Sequence, residues 1–214
     1  MNIERINSTK DLEIAIREDL YSLSREKSGS LYLALPGGRS AGYLVKALLT
    51  LPKDVLVRTH LFLIDERLEG ERNEDTLMKA GLKTALDKGT TLSIVQEDIP
   101  LSEHPFDRLY LGIGEDGHVA SLFPGSLPGE TKKQTMVISD SPKPPKRRVT
   151  LSYQGFLDLA KEAKVYLLFI GESKRDALQR LLSGMEEVQT LPCAFFARSP
   201  FHGTIVTDLR ENTT

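Results

Sequence analysis

The chain has 214 residues, 40% of them hydrophobic and 27% charged, with one cysteine and a formal net charge of −2. That length suits a single domain spanning 1–214 whose core closes without cross-links, and the charge supplies no overall basic field to gather nucleic acid or an anionic membrane. The lone Cys193 excludes an internal disulfide and suits a reducing, cytoplasmic home, while residues 1–10 lack the pattern of a secretory leader and no apolar run reaches the roughly 18 residues that would cross a membrane.

In chain order, Leu12, Ile16, Leu20 and Leu23 recur at helical spacing and predict a helix from Ser8 to Lys27, with Ser8 or Thr9 as its cap. Leu31 to Leu35 reads as a buried strand, stopped by Pro36-Gly37-Gly38. A helix is expected from Ala41 to Leu49, a strand from His60 to Asp65, a helix from Glu74 to Leu86 and a strand from Leu109 to Ile113. The stretch from Pro124 to Arg148 carries three prolines and four cations near its end and reads as the least ordered part. Beyond it come a strand over Arg148 to Ser152, a helix over Gln154 to Ala163, and an apolar strand over Val165 to Ile170. A helix from Ser173 to Ser183 ends at Gly184, and short strands are expected over Ala194 to Ala197 and Thr204 to Thr207.

Near-continuous apolar strands alternating with helices predict an α/β fold: a three-layer α/β/α, Rossmann-like, mostly parallel sheet with helices on both faces. Ligands of such sheets sit beyond the carboxyl ends of the strands, and the unusual polar residues cluster there. Gly37, Gly38, Arg39 and Ser40 join a strand to a helix, a setting that offers free backbone N–H groups and a positive dipole end to a phosphate; a plain turn is the bland alternative. Asp65-Glu66-Arg67 ends the second strand, and Arg67 carries a planar fork suited to phosphate or carboxylate. The third strand runs into a turn with three glycines and His118, a candidate general base with Asp116 two residues away. That turn is expected to lead into an apolar helical stretch.

Lys143, Lys146, Arg147 and Arg148 form a cationic loop, and Lys174 follows Gly171 at a helix start. His60, His104 and His202 show no metal-ligand spacing with one another or with Cys193, which reads as a small buried hydrophobe. Ser121 lacks the G-x-S-x-G elbow of a serine hydrolase. No aromatic interleaving accompanies the basic loop, so nucleic acid is not an expected partner.

Taken together, Gly37-Gly38-Arg39-Ser40, Asp65-Glu66-Arg67 with Asn73 following, and Gly112-Ile113-Gly114-Glu115-Asp116-Gly117-His118-Val119-Ala120-Ser121-Leu122-Phe123-Pro124-Gly125 resemble the 6-phosphogluconolactonases, a branch of the sugar-phosphate isomerase-like group that includes glucosamine-6-phosphate deaminase. Ser141-Pro142-Lys143-Pro144-Pro145, followed by Arg148 to Leu151, also looks like that family, and Gly171 and Lys174 extend the match. The deaminases usually carry tyrosine where this chain has Arg67, and a catalytic glutamate where it has Phe123. The first loop ends Ser40-Ala41 where the family often has Thr-Pro, and the segment after Arg67 is shorter than usual.

The resemblance implies hydrolysis of 6-phospho-D-glucono-1,5-lactone in the oxidative pentose phosphate pathway, with no metal and no cofactor. It implies that His118 activates water and that Asp116 or another nearby carboxylate orients the imidazole. Arg67 or backbone N–H groups would meet the oxyanion. Gly37, Gly38, Arg39, Ser40 and Lys143 would hold the phosphate, with Arg67 a further candidate shared between the two roles and Asp65, Arg148 and Lys174 also in the binding site. The expected partner is the small phosphosugar lactone, with neither nucleic acid nor membrane, and a monomer is favoured over a weak dimer. A deaminase and a non-catalytic sugar-phosphate sensor are the alternatives.

Overall fold

The computed structural model describes residues 2–198, 200–201 and 203–210. Seven strands form one sheet: β1 (Asn2–Arg5), β2 (Leu31–Leu35), β3 (Thr59–Leu63), β5 (Thr91–Ile94), β6 (Arg108–Gly112), β9 (Lys164–Phe169) and β10 (Thr204–Thr207). Their order is β1-β10-β9-β6-β2-β3-β5, and every pairing is parallel. A second, three-stranded antiparallel sheet joins β4 (Asp65–Arg67), β8 (Arg148–Leu151) and β7 (Thr135–Ile138).

The inner strands of the large sheet bury both faces, while the edge strands β1 and β5 stay largely exposed. On one face Leu31, Leu33, Leu61, Leu63, Tyr110 and Leu168 share a core with α1 (Thr9–Glu26), α2 (Arg39–Leu49), the short α3 (Lys53–Leu56), α4 (Asn73–Lys79) and α5 (Leu82–Leu86). On the other, Ala34, Leu109, Leu111, Val165, Leu167 and Phe169 pack with α6 (Tyr153–Ala160), α7 (Arg175–Ser183) and the small sheet. The three-layer expectation is met, and the periodicity of α1 is the reason for its burial: Leu12, Ile16, Leu20 and Leu23 face inward, and the Ser8 side chain caps the start by accepting from the Asp11 N–H.

Several local expectations are corrected. The helix read over Glu74 to Leu86 is two helices, because Gly81 adopts a left-handed φ of 102° between α4 and α5. The stretch after the glycine turn is not helical: Gly117 and Ala120 both have positive φ (81° and 49°), and Ile113, Val119 and Leu122 form isolated bridges instead. Residues 194–197 belong to a 3₁₀ segment, Pro192–Ala197, in place of a strand. Ser173 sits within a short 3₁₀ turn, Glu172–Lys174, and does not cap α7. The stretch read as least ordered contains β7 and is tied to β8. Cys193 is buried as expected, and burial pushes its thiol up to about 12. No helix among the described residues is long and apolar enough to cross a membrane.

Candidate active site

The chain runs from β2 outward to β3, then returns to place β6 on the other flank of β2. This reversal opens a crevice between the carboxyl ends of β2 and β6, where open α/β sheets take their ligands. The segments leaving those two strands are Pro36 to Ser40 and Ile113 to His118. Gly112 and Ser40 meet across the crevice closely enough that a side-chain carbon on Gly112 would lie 3.3 Å from the Ser40 hydroxyl.

Two adjoining cavities occupy the crevice, and both are lined by Gly37, Gly38, Gly112 and His118. The smaller, about 120 Å³, adds Asp65, Arg67, Asn73, Ala120 and Arg148. The larger, about 360 Å³, adds Arg39, Ser40, Tyr43, Lys174 and Asp208. The three separate turns found in the sequence therefore converge on one place.

His118 lies over Gly114, where any side-chain carbon would fall 1.8 Å from the ring nitrogen. Glycine there is a steric requirement of the imidazole's position. His118 Nδ1 is 2.5 Å from Asp116 Oδ1, which assigns the Nδ1 proton to that hydrogen bond and leaves Nε2 for a ligand. Phe123 packs tilted against the same ring, with the ring centres 4.6 Å apart. Burial works against ionisation of Asp116, but the His118 hydrogen bond and the charges of His118 and Lys143 outweigh it and hold the carboxyl well below its usual range. Lys143 stands 3.4 Å from Asp116 Oδ1.

The small sheet explains the second cluster. Its register sets Arg67 opposite Arg148 and Asp65 opposite Thr150. Asp65 is buried, accepts a 3.0 Å hydrogen bond from the Ser121 hydroxyl, and has its pKa raised by desolvation despite Ser121 and Arg148. Arg67 gives one N–H to the Glu71 carbonyl at 3.0 Å, while its Nε is buried without a partner. Arg148 spends Nε and one terminal nitrogen on the carbonyls of Lys143, Pro144 and Pro145. It lines the small cavity while bracing the neighbouring loop.

At the larger cavity Gly38, with φ of 71°, precedes the first turn of α2, which carries no acidic residue. Its free N–H groups and dipole favour an anion. Lys174 faces the same space. Burial, then the like charges of Arg39 and Lys143, push its ammonium below the usual lysine range against the opposing pull of Glu115 and Asp116.

Some site residues carried no assigned role in the sequence reading. Asn73 donates to the Asp65 carbonyl at 3.0 Å and packs on Gly37. Glu66 is buried and fixes that corner by accepting from the backbone N–H groups of Arg67, Asn73 and Glu74. Asp208 follows β10 and accepts from the Gly171 N–H at 2.8 Å; its place just after a strand is the signal that could have found it. His60 bonds Thr91 at 2.8 Å and His104 packs on Tyr32, both away from the crevice; His202 lies outside the described residues.

Fold and site thus define an α/β protein with a histidine–aspartate pair at its topological switch point, flanked by cations and a helix amino terminus. The model of the family described as glucosamine-6-phosphate isomerases/6-phosphogluconolactonase matches residues 8–206, and the chain belongs to that family. It is 31% identical over 182 residues to 6-phosphogluconolactonase 3, chloroplastic, of Arabidopsis thaliana, a match spanning 67% of this chain and 54% of the plant protein. The chain thus covers about half the length of that relative. A 90-residue stretch, 42% of this chain and 33% of the human protein, is 47% identical to 6-phosphogluconolactonase of Homo sapiens. The fold is similar to the crystal structure of 6-phosphogluconolactonase from Leishmania guyanensis, with a TM-score of 0.78, 21% identity, and coverage of 100% of this chain and 98% of that one.

Proposed function

We infer that the chain hydrolyses 6-phospho-D-glucono-1,5-lactone to 6-phospho-D-gluconate. The observation that carries the reading is the shared lining of the two cavities: one imidazole, oriented by a carboxylate, borders both an anion-accepting helix end and a pocket with an unpartnered arginine nitrogen. The family and the relatives named above support the same substrate class.

In this reading the phosphate lies against the amino end of α2, with Arg39, Ser40 and Lys174 as charged and polar donors and Gly37-Gly38 allowing close approach. A remote phosphate held there positions the lactone carbonyl beside His118. Nε2 takes a proton from water, and the hydroxide forms a bond to the carbonyl carbon. The resulting oxyanion is met by Arg67 Nε or by backbone N–H groups of the glycine turns. The tetrahedral centre then collapses, the bond to the ring oxygen breaks, and the imidazolium returns its proton to that oxygen. Asp65 and Asn73 border the sugar hydroxyls. Phe123 leaves no carboxylate at the position where a deaminase needs one.

The test is lactone consumption above its spontaneous hydrolysis, measured by coupling 6-phosphogluconate to its dehydrogenase, with a strong chelator present. Glucosamine 6-phosphate is assayed in parallel for ammonia. Turnover of the lactone, unaffected by chelator and without ammonia release, is expected; ammonia release with an inert lactone would replace this reading by the deaminase one.

A further inference from the structure

Lys143 is a charged side chain beside the imidazole that the mechanism above leaves unused. Its ammonium lies on the Nδ1 side of the ring, 3.5 Å from Nδ1 and 3.4 Å from Asp116 Oδ1. Among the described residues, it lines neither of the two crevice cavities. A phosphate-holding role, which the resemblance implies, would require it to reach into one of them.

The position is built into the fold. Lys143 follows β7 in a proline-rich loop whose backbone is pinned at several points. The buried Ser141 accepts from the Lys143 N–H at 3.2 Å, and its hydroxyl donates to the Lys143 carbonyl at 2.8 Å. The Ser141 N–H donates to the Lys146 carbonyl at 3.0 Å. From β8, Arg148 donates to the carbonyls of Lys143, Pro144 and Pro145 at 3.2, 2.9 and 3.1 Å. A loop held this firmly delivers its lysine to one place.

The other groups facing the ring come from every side. Asp116 lies on the ring's own turn, and Phe123 packs tilted against the imidazole with the Arg148 guanidinium 5.5 Å from the Phe123 ring centre. Asp65 and Arg67 border the small cavity with it, while Lys174, Arg39 and Asp208 border the larger one. Asp116 has two consequences for a base. It orients the ring, which helps, and it stabilises the imidazolium, which does not, because a protonated imidazole cannot accept the proton of water.

We propose that Lys143 is a positioning residue that shares the Asp116 carboxylate and so lets it orient His118 without charging it. This rests on His118 serving as the base, and the measurement below separates the two ideas. The imidazole of His118 is followed by NMR during a pH titration of the full chain, in the native protein, Lys143→Met and Lys143→Arg. Loss of the cation moves the titration of His118 to higher pH, and arginine restores it. The acidic limb of kcat/KM moves with it, while KM for the phosphorylated lactone stays within about twofold.

An unmoved or lowered titration in Lys143→Met overturns the proposal. So does a raised KM with an unmoved limb, which would return Lys143 to the phosphate. The NMR arm needs no turnover, so a chain lacking lactonase activity would sink the functional reading and still leave Lys143 decided.

Discussion

Two polar clusters of the molecule differ in how they spend their hydrogen bonds. The groove between α1 and strands β6, β9 and β10 encloses about 550 Å³, more than either crevice cavity. Its polar residues satisfy one another: Asp19 accepts from Arg108 Nε at 2.7 Å, the Tyr110 hydroxyl at 2.9 Å and Lys164 at 3.0 Å. The crevice does the reverse. It holds an arginine nitrogen without a partner, a desolvated carboxylate, a left-handed alanine, and two guanidinium groups set opposite each other. Buried polar groups left short of partners cost stability unless a ligand supplies them. Under the proposed function, unmet hydrogen-bonding capacity marks the crevice, where cavity size alone would have pointed to the groove.

The largest expected effect falls at the crevice. His118→Asn should lower kcat by about 10²–10⁴-fold with the melting temperature unchanged; near-native turnover would erase the distinction between the two regions. Arg108→Met should do the opposite. Leaving Asp19 without its guanidinium is expected to cost about 3 kcal/mol of stability, read by denaturant unfolding, with kcat and KM preserved in the folded fraction. A catalytic loss there would make the groove part of the site.

Lys174→Ala should raise KM by roughly tenfold or more with little change in kcat, since the proposed reading gives Lys174 a charge-assisted contact to phosphate. The same variant should lose protection by inorganic phosphate in a thermal-shift assay.

The smallest effect concerns Asp65. Its folded pKa is raised by burial, so its favourable contribution is present below the ordinary carboxylate range and is lost as pH rises through the raised value. Asp65→Asn should therefore melt a few degrees higher at neutral pH, about 2–4 °C for each kcal/mol relieved, and the gap should close on acidification. A variant that melts lower at neutral pH would mean that the backbone hydrogen bond Asp65 accepts from Gly37 outweighs the cost of burying its charge.

Much of the fold was legible because its helices and inner strands carry strong local patterns. Leu31–Leu35 was read with its observed bounds, and α1 to within a residue at each end. The edge strands β1 and β5 were missed because they are four residues long and lack a continuous apolar run. The run Ala194 to Ala197 looked like a strand, yet Pro192 opens a 3₁₀ turn there and Phe196 packs edge-on against Phe156 at 4.9 Å. Apolar composition signalled burial correctly and conformation wrongly, the usual ambiguity of a short apolar run.

By itself the sequence determined which residues turn inward, where glycines interrupt the chain after β2 and β6, and which side chains could carry acid–base chemistry. It did so because periodicity and turn residues act over a few neighbours. Only the tertiary structure decided that Asp65 meets Ser121 across 56 positions, that Arg67 faces Arg148, and that Lys143 ends behind the imidazole, 25 positions from His118. Those pairings follow from the small antiparallel sheet and the crossing between β2 and β6, and local spacing carries no record of where separate segments meet.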